Sequence, residues 1–198
     1  MYGTLYLIPC PISDETAPWD VLPAANRAVM DSLDYFIVEN TRTARRFLSK
    51  AGAARPIDTL CFRELNEHTV AGCEVEELVK PLVGPSSIVM AVMASGLNGQ
   101  SFAFNGYLPV KPPERVQAIR RFERRAHAEG QSQLFIEAPY RNVKLMEQLL
   151  QTLAPETRLT VAMDITAPGE FIRTLRVREW RAAELPAMNK RPAIFIIG

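Results

Sequence analysis

Four short turns combine carboxylates, guanidiniums, hydroxyls and prolines: Pro9-Cys10-Pro11, Glu39-Asn40-Thr41-Arg42, Gly84-Pro85-Ser86-Ser87 and Glu137-Ala138-Pro139-Tyr140-Arg141. Each follows a short apolar run that reads as a strand or its end. In an open α/β sheet, ligands bind outside the carboxyl ends of the strands, so these turns are the candidate binding elements. Each also has a plainer reading: Asn40 or Thr41 caps the next helix, and Ser86 or Ser87 caps another. Better-known chemistries find no support. No G-x-G-x-x-G follows the first strand, no G-x-x-x-x-G-K-[ST] occurs, and no Ser/His/Asp set is suggested by spacing.

The elements that must position these turns alternate along the chain. Gly3–Ile8 and Tyr35–Val38 read as buried strands, and Leu60-Cys61-Phe62 as a third. Pro23 opens a helix, and a second follows Asn40-Thr41 and stops at Gly52. An apolar helix runs from Ile88 to Ala94. Pro112-Pro113 begins a long basic helix ending near Gly130. Leu134–Ile136 is a strand, Val143–Leu153 a helix, and Leu159–Ile165, Phe171–Val177 and Ala193–Ile197 are three more strands. The first two of these form a hairpin around Ala167-Pro168-Gly169. The expectation is an α/β protein of two lobes, 1–106 and 107–198.

The chain's 198 residues suit one domain or two small ones. With 47% hydrophobic and 23% charged residues it is an ordinary globular composition, long enough to fold without a disulfide or metal staple. Cys10, Cys61 and Cys73 form no C-x-x-C pair, and only His68 and His127 are present, so no metal site is expected. No apolar run reaches membrane-spanning length and no signal-peptide pattern opens the chain, so a cytoplasmic location is expected. The net charge of +1 hides an asymmetry: residues 1–99 carry 8 Lys and Arg against 12 Asp and Glu, and residues 100–198 carry 15 against 10. On the basic helix, Arg115, Arg120, Arg121, Arg124 and Arg125 form either a solvated, salt-bridged face or a surface that tracks phosphates.

Taken in order, the turns resemble the tetrapyrrole-methylase superfamily of S-adenosylmethionine-dependent methyltransferases, and within it the branch that methylates small-subunit ribosomal RNA. Gly3–Ile12 resembles the opening strand and loop, and Val38-Glu39-Asn40-Thr41-Arg42 the Glu-Asp-Thr-Arg signature. Val83-Gly84-Pro85-Ser86-Ser87 resembles the Gly-Pro-Ser turn, and Phe104-Asn105-Gly106-Tyr107-Leu108-Pro109 the Phe-x-Gly-Phe-Leu-Pro segment. Ile136–Arg141 resembles the Glu-Ser-Pro-(His/Tyr)-Arg element, and Asn189-Lys190-Arg191-Pro192 leads into the final strand as in the family. There are departures. The Gly-rich stretch between the third strand and the Gly-Pro-Ser turn is reduced to Ala71-Gly72-Cys73, so a strand, a cofactor loop and a helix are missing near 70–78. Ser13-Asp14 stands for Gly-Asn, Asn40 for Asp, and a C-terminal extension is absent.

The resemblance implies a two-lobed tetrapyrrole-methylase-like fold, with a mainly parallel N-terminal sheet and a mixed C-terminal sheet. It implies S-adenosylmethionine held between the lobes by Pro9, Ser87, Ile88, Ala138, Ala162, Met163, Pro192 and Ala193, largely through backbone groups that small residues leave accessible. Ala162 and Met163 are alternatively core strand residues. Transfer from a sulfonium needs alignment and no metal. A ribose 2′-hydroxyl acceptor needs a base, for which Glu39 is the candidate, with Arg42 holding an RNA phosphate or orienting the carboxylate. The plain alternative is an ion pair of the two that only braces the turn. A homodimer is implied as well, with Phe102, Phe104, Tyr107 and Leu108 as the patch a second copy covers. A methylase of a small molecule such as a tetrapyrrole, or a non-catalytic RNA-binding relative, are the competing functions.

Overall fold

The structure, a computed structural model, describes residues 4–66 and 78–198. The chain divides into two compact units, Met1–Pro85 and Ser86–Gly198. The expected cofactor-loop remnant, Ala71-Gly72-Cys73, lies outside the described residues.

The first unit contains β1 (Thr4–Leu7), α1 (Pro18–Val21), α2 (Ala25–Ser32), β2 (Tyr35–Val38), α3 (Thr41–Ala51), β3 (Cys61–Glu64) and β4 (Leu78–Pro81). Its strands form two parallel ladders, β1 with β4 and β2 with β3, in registers that pair Thr4 with Leu78 and Tyr35 with Cys61. Met30, Phe36, Leu48, Ala51 and Leu60 make the core, and the Phe36 ring stacks on Phe62 at 5.8 Å. β1 and β2 were expected to be buried strands, and here the structure differs. Phe36 is buried, but Tyr35 and Ile37 are 52% and 46% exposed, and Leu7 of β1 is exposed too. Side chains alternate across a strand, and in β2 the Phe36 side packs on the core while Tyr35 and Ile37 point away from it. Gly84 is required by a close approach: a Cβ there would lie 2.2 Å from the Cβ of Pro9. The N–H of Leu82 donates to the carbonyl of Leu7 at 3.0 Å, which continues the β1–β4 ladder into this contact.

The second unit contains α4 (Ser87–Ser95), β5 (Phe102–Tyr107), α5 (Pro112–Glu129), β6 (Ser132–Ile136), α6 (Asn142–Thr152), β7 (Arg158–Met163), β8 (Phe171–Arg176), α7 (Val177–Ala182) and β9 (Ala193–Ile197). Its mixed sheet has the order β5-β6-β9-β7-β8, with β5 and β6 parallel and the other pairs antiparallel. The expected hairpin of β7 and β8 is present. On one face, Phe122, Phe135 and Phe195 stack at 6.4 and 6.1 Å within a core that also holds Leu149, Leu159 and Trp180. The indole N–H of Trp180 donates to the carbonyl of Leu159 at 2.8 Å. α4 covers β7, β8 and β9 from the other face. Cover on both faces explains why β9 and most of β7 are buried throughout.

The sequence division at 106 and 107 differs from the boundary seen, which falls after Pro85. β5 pairs with β6, and the Thr174 hydroxyl on β8 donates to the carbonyl of Ser95 at the end of α4, at 2.7 Å. Those contacts bind 86–106 to the second unit. Leu108 is also corrected: expected on an exposed patch, it is 3% exposed and packs in this core, while Phe102, Phe104 and Tyr107 are exposed.

Candidate active site

One edge of the second unit's sheet gathers most of the expected cofactor residues. β9 lies between β6 and β7, running antiparallel to both, so its start meets their ends. Met163 is paired with Ala193, and Ala162 with Ile194. Pro192 stands just before β9, and its carbonyl accepts from the N–H of Asp164 at 3.1 Å. Ala138 follows β6 on the neighbouring chain end. α4 is aimed at the same edge: its far end touches β8 through Ser95, and Leu97 lies against Gly198 beyond β9. Its N-terminus, with Ser87 and Ile88 half-buried, therefore points to the end where β9 begins. Sequence proximity could not bring these residues together; strand order does.

Within this edge, Ala162 and Met163 are fully buried, and Met163 belongs to the core. Ala138 is half-buried and Pro192 exposed. Ser86, not Ser87, caps α4, its Oγ accepting from the N–H of Val89 at 3.4 Å. Pro9 belongs to the first unit, where it abuts Gly84.

The loops around the edge are tied down by a network that sequence reasoning did not assign. The Glu137 side chain is wholly buried, and its Oε1 accepts from the N–H of Ala138 at 2.8 Å and from Arg141 Nε and Nη2 at 3.0 and 2.6 Å. This contact raises the pKa of the Arg141 guanidinium above its usual value. Arg115, expected on the basic helix face, is instead buried with its Nη2 3.5 Å from Glu137 Oε2. It also donates to the carbonyls of Pro109 and Val110 at 2.8 and 3.0 Å. Asn142 Nδ2 donates to the carbonyl of Arg191 at 2.7 Å, and the N–H of Lys190 donates to that of Pro139 at 3.0 Å. Arg191 Nε in turn donates to Asp164 Oδ2 at 2.6 Å. Among the described residues, Asn142 Oδ1 is buried without a hydrogen-bond donor, and Glu137 Oε2 has only the ion pair with Arg115. The sequence signal was the Glu137–Arg141 spacing inside a strand-end turn; the partner Arg115 has no local signature.

In the first unit, Glu39 and Arg42 are both exposed on the turn between β2 and α3. The expected alternative, an ion pair between them, does not form: neither side chain has an ionic partner among the described residues. Asn40 does cap α3, its Oδ1 accepting from the N–H and hydroxyl of Thr43 at 3.0 and 3.2 Å. Two residues missed by sequence reasoning clamp the turn from the end of β3. Glu64 Oε1 accepts from the N–H of Thr41 at 2.7 Å, and Asn66 Nδ2 donates to the carbonyl of Glu39 at 3.1 Å. The register of β2 and β3, which pairs Val38 with Glu64, puts them there.

The Thr41 N–H and hydroxyl hold the Glu64 carboxyl below its usual pKa. A depressed folded-state pKa gives stability that is present above the unfolded value and lost as pH falls through the folded one. Wild type should therefore melt above Glu64→Gln at neutral pH, and the two melting temperatures should converge in acid. Parallel curves across the acid range would show that the bond contributes no pH-dependent stability.

No family model matches the chain. Ribosomal RNA small subunit methyltransferase I of Vibrio cholerae is 29% identical over 113 residues, covering 57% of this chain and 38% of that protein. The protein of the same name from Xylella fastidiosa is 25% identical over 229 residues, covering 98% of this chain and 80% of the relative. That alignment is longer than the chain itself, so the relative carries residues this chain lacks. Among solved structures, the methyltransferase CobJ superposes with a TM-score of 0.57 at 14% identity, covering 100% of this chain and 93% of that one. Cobalt precorrin-4 methyltransferase, CbiF, gives 0.55 at 13%, covering 98% and 94%. The fold is thus that of these methyltransferases, and in sequence the chain is similar to the ribosomal RNA small subunit methyltransferase I proteins.

Proposed function

We propose that the protein is an S-adenosylmethionine-dependent methyltransferase acting on a ribose 2′-hydroxyl of small-subunit ribosomal RNA. The observation that carries this reading is the convergence of Ser87, Ile88, Ala138, Met163, Pro192 and Ala193 on one sheet edge. Small side chains there leave backbone groups accessible to a ligand. Asn142 Oδ1 beside it, a buried acceptor with no hydrogen-bond donor among the described residues, suits a ligand rich in N–H and O–H groups, as adenosine is. S-adenosylmethionine supplies an activated methyl group on its sulfonium. The chain's residues supply alignment, with Ala162 and Met163 forming the buried floor. Glu39, exposed and without an ionic partner among the described residues, takes the hydroxyl proton, and Arg42 holds a phosphate of the RNA. No described helix is long and apolar enough to cross a membrane, and we place the protein in the cytoplasm.

Two measurements test the reading. Isothermal calorimetry should show cofactor binding that Ser87→Trp abolishes, because the indole would fill the edge at the start of α4. Equal affinity in the variant would move the site elsewhere. Labelled methyl should pass to small ribosomal subunits and not to a corrin precursor; transfer to the precursor alone would make the substrate a tetrapyrrole. We further infer a homodimer. Phe102, Phe104 and Tyr107 leave an apolar strip along β5, an edge strand of the sheet, and a second copy would cover it.

A further inference from the structure

The second unit carries a surplus of cations, and most of its acids are already engaged. Lys111 pairs with Glu114, Arg125 with Glu129, Arg115 and Arg141 with Glu137, Arg176 and Arg178 with Glu156, and Arg191 with Asp164. On α5, Glu123 is turned away from its own helix, accepting from the N–H of Ala154 at 2.7 Å and from the Thr157 hydroxyl. Arg120, Arg121 and Arg124 are left exposed with no carboxylate partner among the described residues. Their positions fall opposite the buried face formed by Arg115, Ala118, Ile119, Phe122 and Ala126. The Arg121 guanidinium carbon stands over the Phe122 ring, 5.0 Å from its centroid.

The stripe leads into a cavity. Arg120, Arg124 and His127 follow one another on a flank of α5, spanning roughly 10 Å at 1.5 Å per residue. His127 then lines a polar cavity of about 290 Å³ together with Arg158 and Arg176, at the sheet edge opposite the candidate active site. Arg158 has no acidic partner among the described residues, whereas Arg176 shares Glu156 with Arg178.

We propose that the solvent face of α5 and this cavity form one phosphodiester-binding track for the RNA backbone, with Arg120, Arg121, Arg124 and Arg158 as its contacts. Charge complementarity selects the occupant: guanidiniums on the solvent face of one helix, without a carboxylate partner among the described residues, match a chain of phosphates. The contacts are to phosphates and therefore position the RNA without reading its bases. The track extends the RNA reading given above, since it lies away from the cofactor edge and would hold the substrate's flanking nucleotides.

The test uses the full chain and a fluorescein-labelled oligouridylate, titrated by anisotropy over a range of salt. For Arg120→Gln/Arg121→Gln/Arg124→Gln/Arg158→Gln, the slope of log affinity against log salt should drop by about 0.7 per lost contact, roughly 3 in all. Arg173→Gln, which removes an exposed charge from β8, should leave the slope unchanged. An unchanged slope in the quadruple variant, or wild type binding anionic lipid vesicles but not the oligouridylate, would overturn the track. Methyl transfer to small subunits separates this from the enzymatic reading. Equal transfer at raised salt by variant and wild type refutes the track while the enzyme stands. No transfer by wild type, with the slope difference intact, refutes the enzyme and upholds the track.

Discussion

Glu39→Gln is expected to slow methyl transfer to RNA by roughly 10²–10⁴-fold, the usual contribution of a general base, with cofactor affinity nearly unchanged. The structure sharpens this expectation. The Glu39 backbone is held, its carbonyl accepting from Asn66 Nδ2, while its carboxylate is exposed and has no partner among the described residues that would compete for the proton. The substitution keeps the side-chain shape and removes only basicity. Asn40→Asp is the informative companion. The family signature has Asp at that place, and Asn40 Oδ1 is occupied in capping α3, a role that Asp fills equally well. The fold should therefore accept the change without loss. If Glu39→Gln is silent and Asn40→Asp raises the rate, the base belongs at position 40, and the natural chain has surrendered it.

Glu137→Ala should lower the melting temperature by roughly 10 °C, from about 3–5 kcal/mol of lost stability. The magnitude follows from what remains. Arg115 has a side chain only 7% exposed, and without Glu137 its charge would be buried beside no counterion. Arg141 and the N–H of Ala138 would lose their acceptor at the same time. Replacing the pair together, Glu137→Leu with Arg115→Met, should recover much of the stability, because apolar groups of similar volume need no counter-charge. It should not recover cofactor affinity. Arg115 anchors the carbonyls of Pro109 and Val110, and Glu137 anchors the turn at Ala138, so the loops at the candidate site would be freed. A melting temperature within a degree or two of wild type for Glu137→Ala would show that the carboxylate contributes little.

What the sequence determined by itself is local. The cap at Asn40 bonds Thr43 and the cap at Ser86 bonds Val89, each reaching three residues, and such chemistry is written in neighbouring letters. The hairpin of β7 and β8, the basic helix stopped by Gly130, and the strand-end positions of the four turns are legible for the same reason. Resemblance added the family, because the turns recur in order even where each one alone is ambiguous. Tertiary structure decided the rest through contacts between distant segments. The last strand, β9, lies between β6 and β7, which places Pro192 and Ala193 beside Met163 and gathers residues that are far apart in the chain. Glu64 and Asn66 reach the Glu39 turn only through the register of β2 and β3. Arg115 looked like one more surface arginine, yet it is buried, while three of its neighbours on α5 stay free. Strand order, register and helix packing are set by long-range hydrogen bonds and burial, to which no short window of sequence has access.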